Sequence, residues 1–172
     1  MIRGMVRGII TSVVEGAIKR FGATGRAGES FSNREIFQHY GFSSSPLSGA
    51  EAIILREGNH IIMIASDDRR YRIAMEAGEV SLYTHEGDHV HLKAGRVIEL
   101  VTNTLLIKAA TKVRMETPLV ETTGQVQAVG QITDLRDSSG KSMSAMRSTY
   151  NSHTHGGIQP GGSNTAVPGQ GM

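Results

Sequence analysis

The sequence predicts an all-β protein in which a small N-terminal barrel is followed by a slender strand-and-turn shaft that gains an interior only from further copies of itself. Three observations carry this reading. Residues 7–74 break into short strand-like runs with turn residues between them, whereas from Gly78 to Leu135 paired apolar residues recur roughly every seven positions. Bulky side chains are scarce: Phe, Tyr and Trp make up 5% of the chain, Trp is absent, and Ile, Leu, Val and Phe together number 40 of 172 residues. A conventional globule of this length buries nearly 70% of its unfolded surface, usually around aromatic anchors. Few such anchors exist here.

The elements follow in order. Arg7–Val14, the turn dipeptide Glu15-Gly16 and Ala17–Ala23 read as an opening hairpin. Ala50–Leu55 and His60–Ala65 flank the turn residues 56–59, and a further short run follows at Arg70–Ala74. About five short strands in this span predict a small antiparallel barrel, OB-like in class, over residues 1–77. Residues 25–49 carry Phe31, Phe37, Tyr40 and Phe42 among glycines and read as one long loop that packs on its own domain or meets a partner.

The region 78–135 changes character. No aromatic residue occurs between Thr84 and Thr149, yet pairs such as Val90/Leu92, Ile98/Leu100, Leu105/Ile107, Val113/Met115 and Val126/Ala128 continue, with Gly95, Asn103, Pro118 and Gly124 between them. Each unit is a strand of three to five residues with one apolar face. A ladder this narrow cannot fill a two-layer core. Three chains wound about one axis would cover both strand edges and apolar faces, so a triple-stranded, intertwined β-helix is expected. In the last region, residues 136–172, Ser142–Ser148 has the composition of one or two helical turns, and the final 17 residues hold six Gly and two Pro, a flexible composition.

Charge and composition exclude several classes. Eighteen basic and 16 acidic residues are spread evenly along the chain, so the basic face on which nucleic-acid binding depends is missing. The longest apolar run, Ile61–Ala65, is far short of a membrane span, and no signal-peptide core follows Met1. Synthesis in a cytosol is the expectation. With no Cys, disulfides and thiolate metal sites are excluded, and any metal must sit on His, Asp or Glu.

Three motifs invite chemistry. His85-Glu86-Gly87-Asp88-His89 fits the HExxH pattern of zinc peptidases, which needs a helix to place both imidazoles on one face. Here Gly87-Asp88 is a turn dipeptide between alternating runs, so a hairpin tip is expected, and a zinc-dependent hydrolase through His85, Glu86 and His89 is the weakest alternative. His89 and His91 read as solvent-facing strand residues. Gly140-Lys141-Ser142 lacks the earlier glycine of a P-loop, since position 135 is Leu. No catalytic site is defensible from sequence. His153-Thr-His155 places two imidazoles on one side of an extended chain, about 6.6 Å apart. Alone, the pair reads as exposed tail histidines; around a threefold axis, two per chain give six nitrogens, which suit an octahedral metal such as iron, with Ni or Zn also compatible.

Taken together, Gly25-Arg-Ala-Gly-Glu29, Phe37-Gln-His-Tyr-Gly-Phe42, Pro46–Ala52, Asp68-Arg-Arg-Tyr-Arg72, Gly78–Tyr83 and Tyr150–Gly156 resemble the Mu-like phage baseplate assembly protein V family, the central spike of contractile tails. The resemblance covers roughly residues 20–172 and is loose before Gly25. It implies an OB-like barrel, a trimeric β-helix and one iron ion per trimer held on the threefold axis by His153 and His155. It further implies a homotrimer in the virion tail baseplate, assembled in the host cytoplasm. Its barrel end would meet hub and tail tube proteins, and its point would contact the host outer membrane mechanically. No enzymatic activity, nucleic acid or small-molecule substrate is implied. An OB-fold nucleic-acid-binding protein is the principal alternative.

Overall fold

The computed structural model describes residues 3–153. Five strands close a barrel: β1 (Arg3–Val14), β2 (Arg20–Thr24), β3 (Ser30–Ile36), β4 (Glu51–Glu57) and β5 (His60–Asp67), in the order β1-β2-β3-β5-β4. All pairings are antiparallel except β3 with β5. The long β1 makes closure possible. Its first half, Arg3–Ile9, pairs with β4, and from Ile9 to Val14 it pairs with β2, so one strand borders both ends of the sheet. Period-two alternation turns Val6 and Ile10 inward, and the barrel fills with Phe21, Ile54 and Met63, all fully buried beside them.

Two sequence expectations change here. Residues 25–49 are not one loop, because β3 lies inside them and its Phe31 and Ile36 are core residues. The alternation was hidden by Asn33, whose φ of 55° places it in the left-handed region and resets the parity between Phe31 and Ile36. Residues 70–74, expected as a strand, pair with none, since Arg70 and Arg72 are drawn back onto Asp68 and Asp67.

After the barrel, β6 (Val80–Tyr83), β7 (His89–Lys93) and β8 (Val97–Val101) form an antiparallel three-stranded sheet, so this first part of the expected intertwined shaft pairs within one chain, because the tight turns at 84–88 and 94–96 bring successive strands side by side. Barrel and sheet belong to one compact unit, residues 1–108. Residues 102–132 contain no strand or helix and make no ladder among the described residues. In the second unit, a bridge between Thr133 and Ser142 precedes helix α1 (Met143–Ser152). Ser142 caps it by accepting the Ala145 N–H at 3.1 Å, which satisfies one of the free N–H groups of the first turn. The helix runs longer than the expected Ser142–Ser148. The glycine-rich tail and His155 lie outside the described residues, and no helix within them is long and apolar enough to cross a membrane.

Candidate functional site

The register of β6–β8 sorts its side chains into two unlike faces. Val80, Leu92 and Ile98 form one cross-strand row and Leu82, Val90 and Leu100 a second, both on the same face. Five of these six aliphatics are exposed, Ile98 by 66%. The exposed apolar character continues through Leu105, Ile107, Val113, Met115, Leu119 and Val126, where no partner strand exists among the described residues. Exposed apolar surface on this scale marks an interaction site.

The opposite face is mixed, with Ser81, His91 and Glu99 in one cross-strand row and Tyr83, His89 and Val101 in the next. His91 corrects a sequence expectation. It does not face solvent: it is the one polar residue that is buried among those described, with its side chain 7% exposed against an equally covered Glu79. Its Nε2 lies 3.0 Å from Glu79 Oε2. Glu79 also accepts the Ala94 N–H at 2.9 Å and the Glu76 N–H at 3.1 Å. These backbone donors, then His91, hold the Glu79 carboxyl below its usual range against the opposing effect of burial. The pairing joins residues twelve apart across a turn, and the sequence carries no local signal for it.

The HExxH segment is the β6–β7 turn. The Thr84 N–H donates to the Asp88 carbonyl at 2.9 Å and the Gly87 N–H to that of Thr84 at 3.2 Å, with Gly87 at a φ of 92°. His85 packs its ring edge-on against Tyr71 while His89 Nδ1 donates to the Gly87 carbonyl at 2.8 Å. The two imidazoles therefore share no face with Glu86 between them. No group of three or more His, Asp or Glu suited to a metal ion occurs among the described residues. Of residues 140–142, Ser142 caps α1, whereas the Gly140 N–H donates to the Leu135 carbonyl at 3.2 Å and the Lys141 N–H to Asp134 at 3.1 Å.

At the other end, His153 is the C-cap of α1, with extended backbone angles of φ −68° and ψ 144°. Its Nδ1 meets the Tyr150 carbonyl oxygen. A carbonyl only accepts, so Nδ1 is the donor in this contact.

On the barrel, Phe37 and Phe42 are each 64% exposed and Tyr40 fully so. The aromatic segment thus divides: Phe31 is core, and the three rings beyond β3 face outward.

A closed barrel followed by uncovered apolar rows defines a chain with surface suited to assembly with other chains. Comparison with known proteins makes the class specific. Residues 7–70, essentially the barrel, match the family described as Bacteriophage Mu Gp45, N-terminal, and residues 149–168 match the GpV Apex motif. The chain is also 38% identical over 98 residues to the baseplate puncturing device gp45 of Escherichia phage Mu, covering 54% of this chain and 49% of that protein. It spans about half the length of this curated relative. Two segments of the chain, the barrel and residues 149–168, are thus similar to Mu-like baseplate spike proteins.

Proposed function

We propose that this chain is the structural spike of a contractile-tail baseplate, a non-enzymatic virion component that punctures the host envelope as an intertwined homotrimer. The observation that carries the trimer is the run of exposed aliphatic side chains recurring along the sequence from Val80 to Val126, between residues matched to the Mu Gp45 N-terminal family and those matched to the apex motif. Three copies around one axis would turn these rows toward a common seam and supply residues 102–132 with strand partners. In this reading the OB-like barrels face the hub and tube proteins through the outward rings of Phe37, Tyr40 and Phe42, and the shaft narrows to a point that meets the host outer membrane.

Mechanics follow from the braid. Unfolding one chain would require separating all three, which raises the barrier to unfolding under load. Frayed ends would blunt such a point. His153 and His155 from each copy are the residues that would hold a single iron ion, whose octahedral preference for six imidazoles would tie the ends together.

Light scattering combined with metal analysis tests this reading. Three chains and about one metal ion per particle are expected; the double variant His153→Ala/His155→Ala should lose the metal and largely keep the trimer. A monomeric wild-type chain would overturn it.

A further inference from the structure

Between β5 and β6 the chain crosses from barrel to sheet through residues 68–79, which hold neither strand nor helix. Twelve irregular, mostly exposed residues between two sheets would ordinarily act as a hinge. The contacts made by this segment say otherwise. Arg70 donates to the Ser48 carbonyl at 3.0 Å and to both oxygens of Asp68, at 2.8 and 2.6 Å. Its guanidinium lies against Gly49, where a Cβ would come within 3.0 Å of it and where φ is 93°. The guanidinium also lies over the Tyr71 ring, 5.3 Å from its centroid. The Tyr71 ring in turn meets that of His85 edge-on, centroids 5.8 Å apart at 74°.

A stack therefore runs without a break from the loop before β4, through Arg70 and Tyr71, to the tip of the β6–β7 hairpin. A second tie closes the far end of the segment. Glu79 binds the Glu76 N–H within the connector, the Ala94 N–H in the β7–β8 turn and His91 on β7, and both acid and imidazole are almost fully covered. In the whole span 70–132, His91 is the only residue classed as buried, so the one sequestered contact of the sheet is the one that fastens it to the connector.

We infer that residues 68–79 are a strut, in which the Gly49–Arg70–Tyr71–His85 stack and the Glu79–His91–Ala94 clasp hold barrel and sheet as one rigid piece. The stack acts on the β6–β7 tip and the clasp on the β7–β8 turn, so the sheet is braced at both of its turns and cannot pivot about Gly78. The value of this stiffness to the molecule rests on the puncturing role: thrust received by the barrel would pass to the shaft instead of bending the joint.

The chain itself supplies the assay, because Arg69, Arg70 and Arg72 place trypsin sites inside the strut. Native-state cleavage there reports local opening. In the full-length wild-type protein these bonds should resist trypsin. Tyr71→Ala and, independently, Glu79→Gln should raise the rate of cutting at 69–72 by about ten-fold, the scale of losing one ring stack or one buried charge-assisted bond, with particle mass by light scattering unchanged. Tyr71→Phe keeps the ring and should cleave at the wild-type rate. Rapid cutting of the wild-type strut, or variants no faster than wild type, would overturn the proposal. Failure of the puncturing role is read separately: variants that assemble into particles, open the strut and still infect at the wild-type rate would leave the rigid joint intact as a finding and remove its mechanical purpose.

Discussion

Replacing Ile98 by Asp separates a chain that is complete by itself from one that is completed by its copies. In the single chain Ile98 is 66% exposed on the open face of β6–β8, and a surface substitution there would cost within about 0.5 kcal/mol. In a trimer the same side chain would be covered. Burying an aliphatic side chain contributes about 1.5–3 kcal/mol, so covering the remaining two-thirds of Ile98 contributes about 1–2 kcal/mol per copy and about 3–6 kcal/mol across three copies. Asp forfeits that sum and adds three unpaired carboxylates to an apolar seam, each costing several kcal/mol more. The trimer should be lost or its thermal transition lowered far beyond scatter, as read by light scattering and a melting curve. Lys93→Ala, on the opposite face, should leave both unchanged. If the Ile98→Asp protein remains a trimer with an unmoved transition, the apolar rows are not the seam.

Two further outcomes are expected. Because the Glu79 carboxyl titrates below its ordinary value of 4.5, the stability it contributes is fully present above pH 4.5 and is lost as pH falls through its lower folded value; Glu79→Gln should remove that acid-side loss from a series of unfolding curves, and an identical pH profile in both proteins would contradict the clasp. Phe37→Ser/Phe42→Ser should leave the barrel's melting transition nearly unchanged, since neither ring belongs to its core, while weakening attachment to the hub in a baseplate assembly assay; normal assembly would remove the aromatic contact from the hub face.

The hairpin tip at His85–Asp88 was legible because Gly87-Asp88 and the flanking alternation act locally, and a helical segment from Ser142 because its composition suits a helix. Strand β3 was not legible, because the left-handed Asn33 breaks the two-residue period that would have announced it. His91 was misplaced because its exposure is set by Glu79, which returns from beyond the strand to cover it. The aromatic segment shows the same division: composition marked Phe31 and Phe37 alike, and only the pairing of β3 with β2 and β5 sends one inward and leaves the other outside.

By itself, then, the sequence determined the all-β character, the barrel strands other than β3, the absence of a cysteine-held site and the apolar periodicity of the slender region, because each depends on neighbours a few residues apart. The tertiary structure alone decided how β1 closes the barrel, which histidine is buried, and that the connector is braced at Arg70, Tyr71 and Glu79. Those features depend on partners brought together from distant parts of the chain, and a local pattern carries no record of which partner arrives.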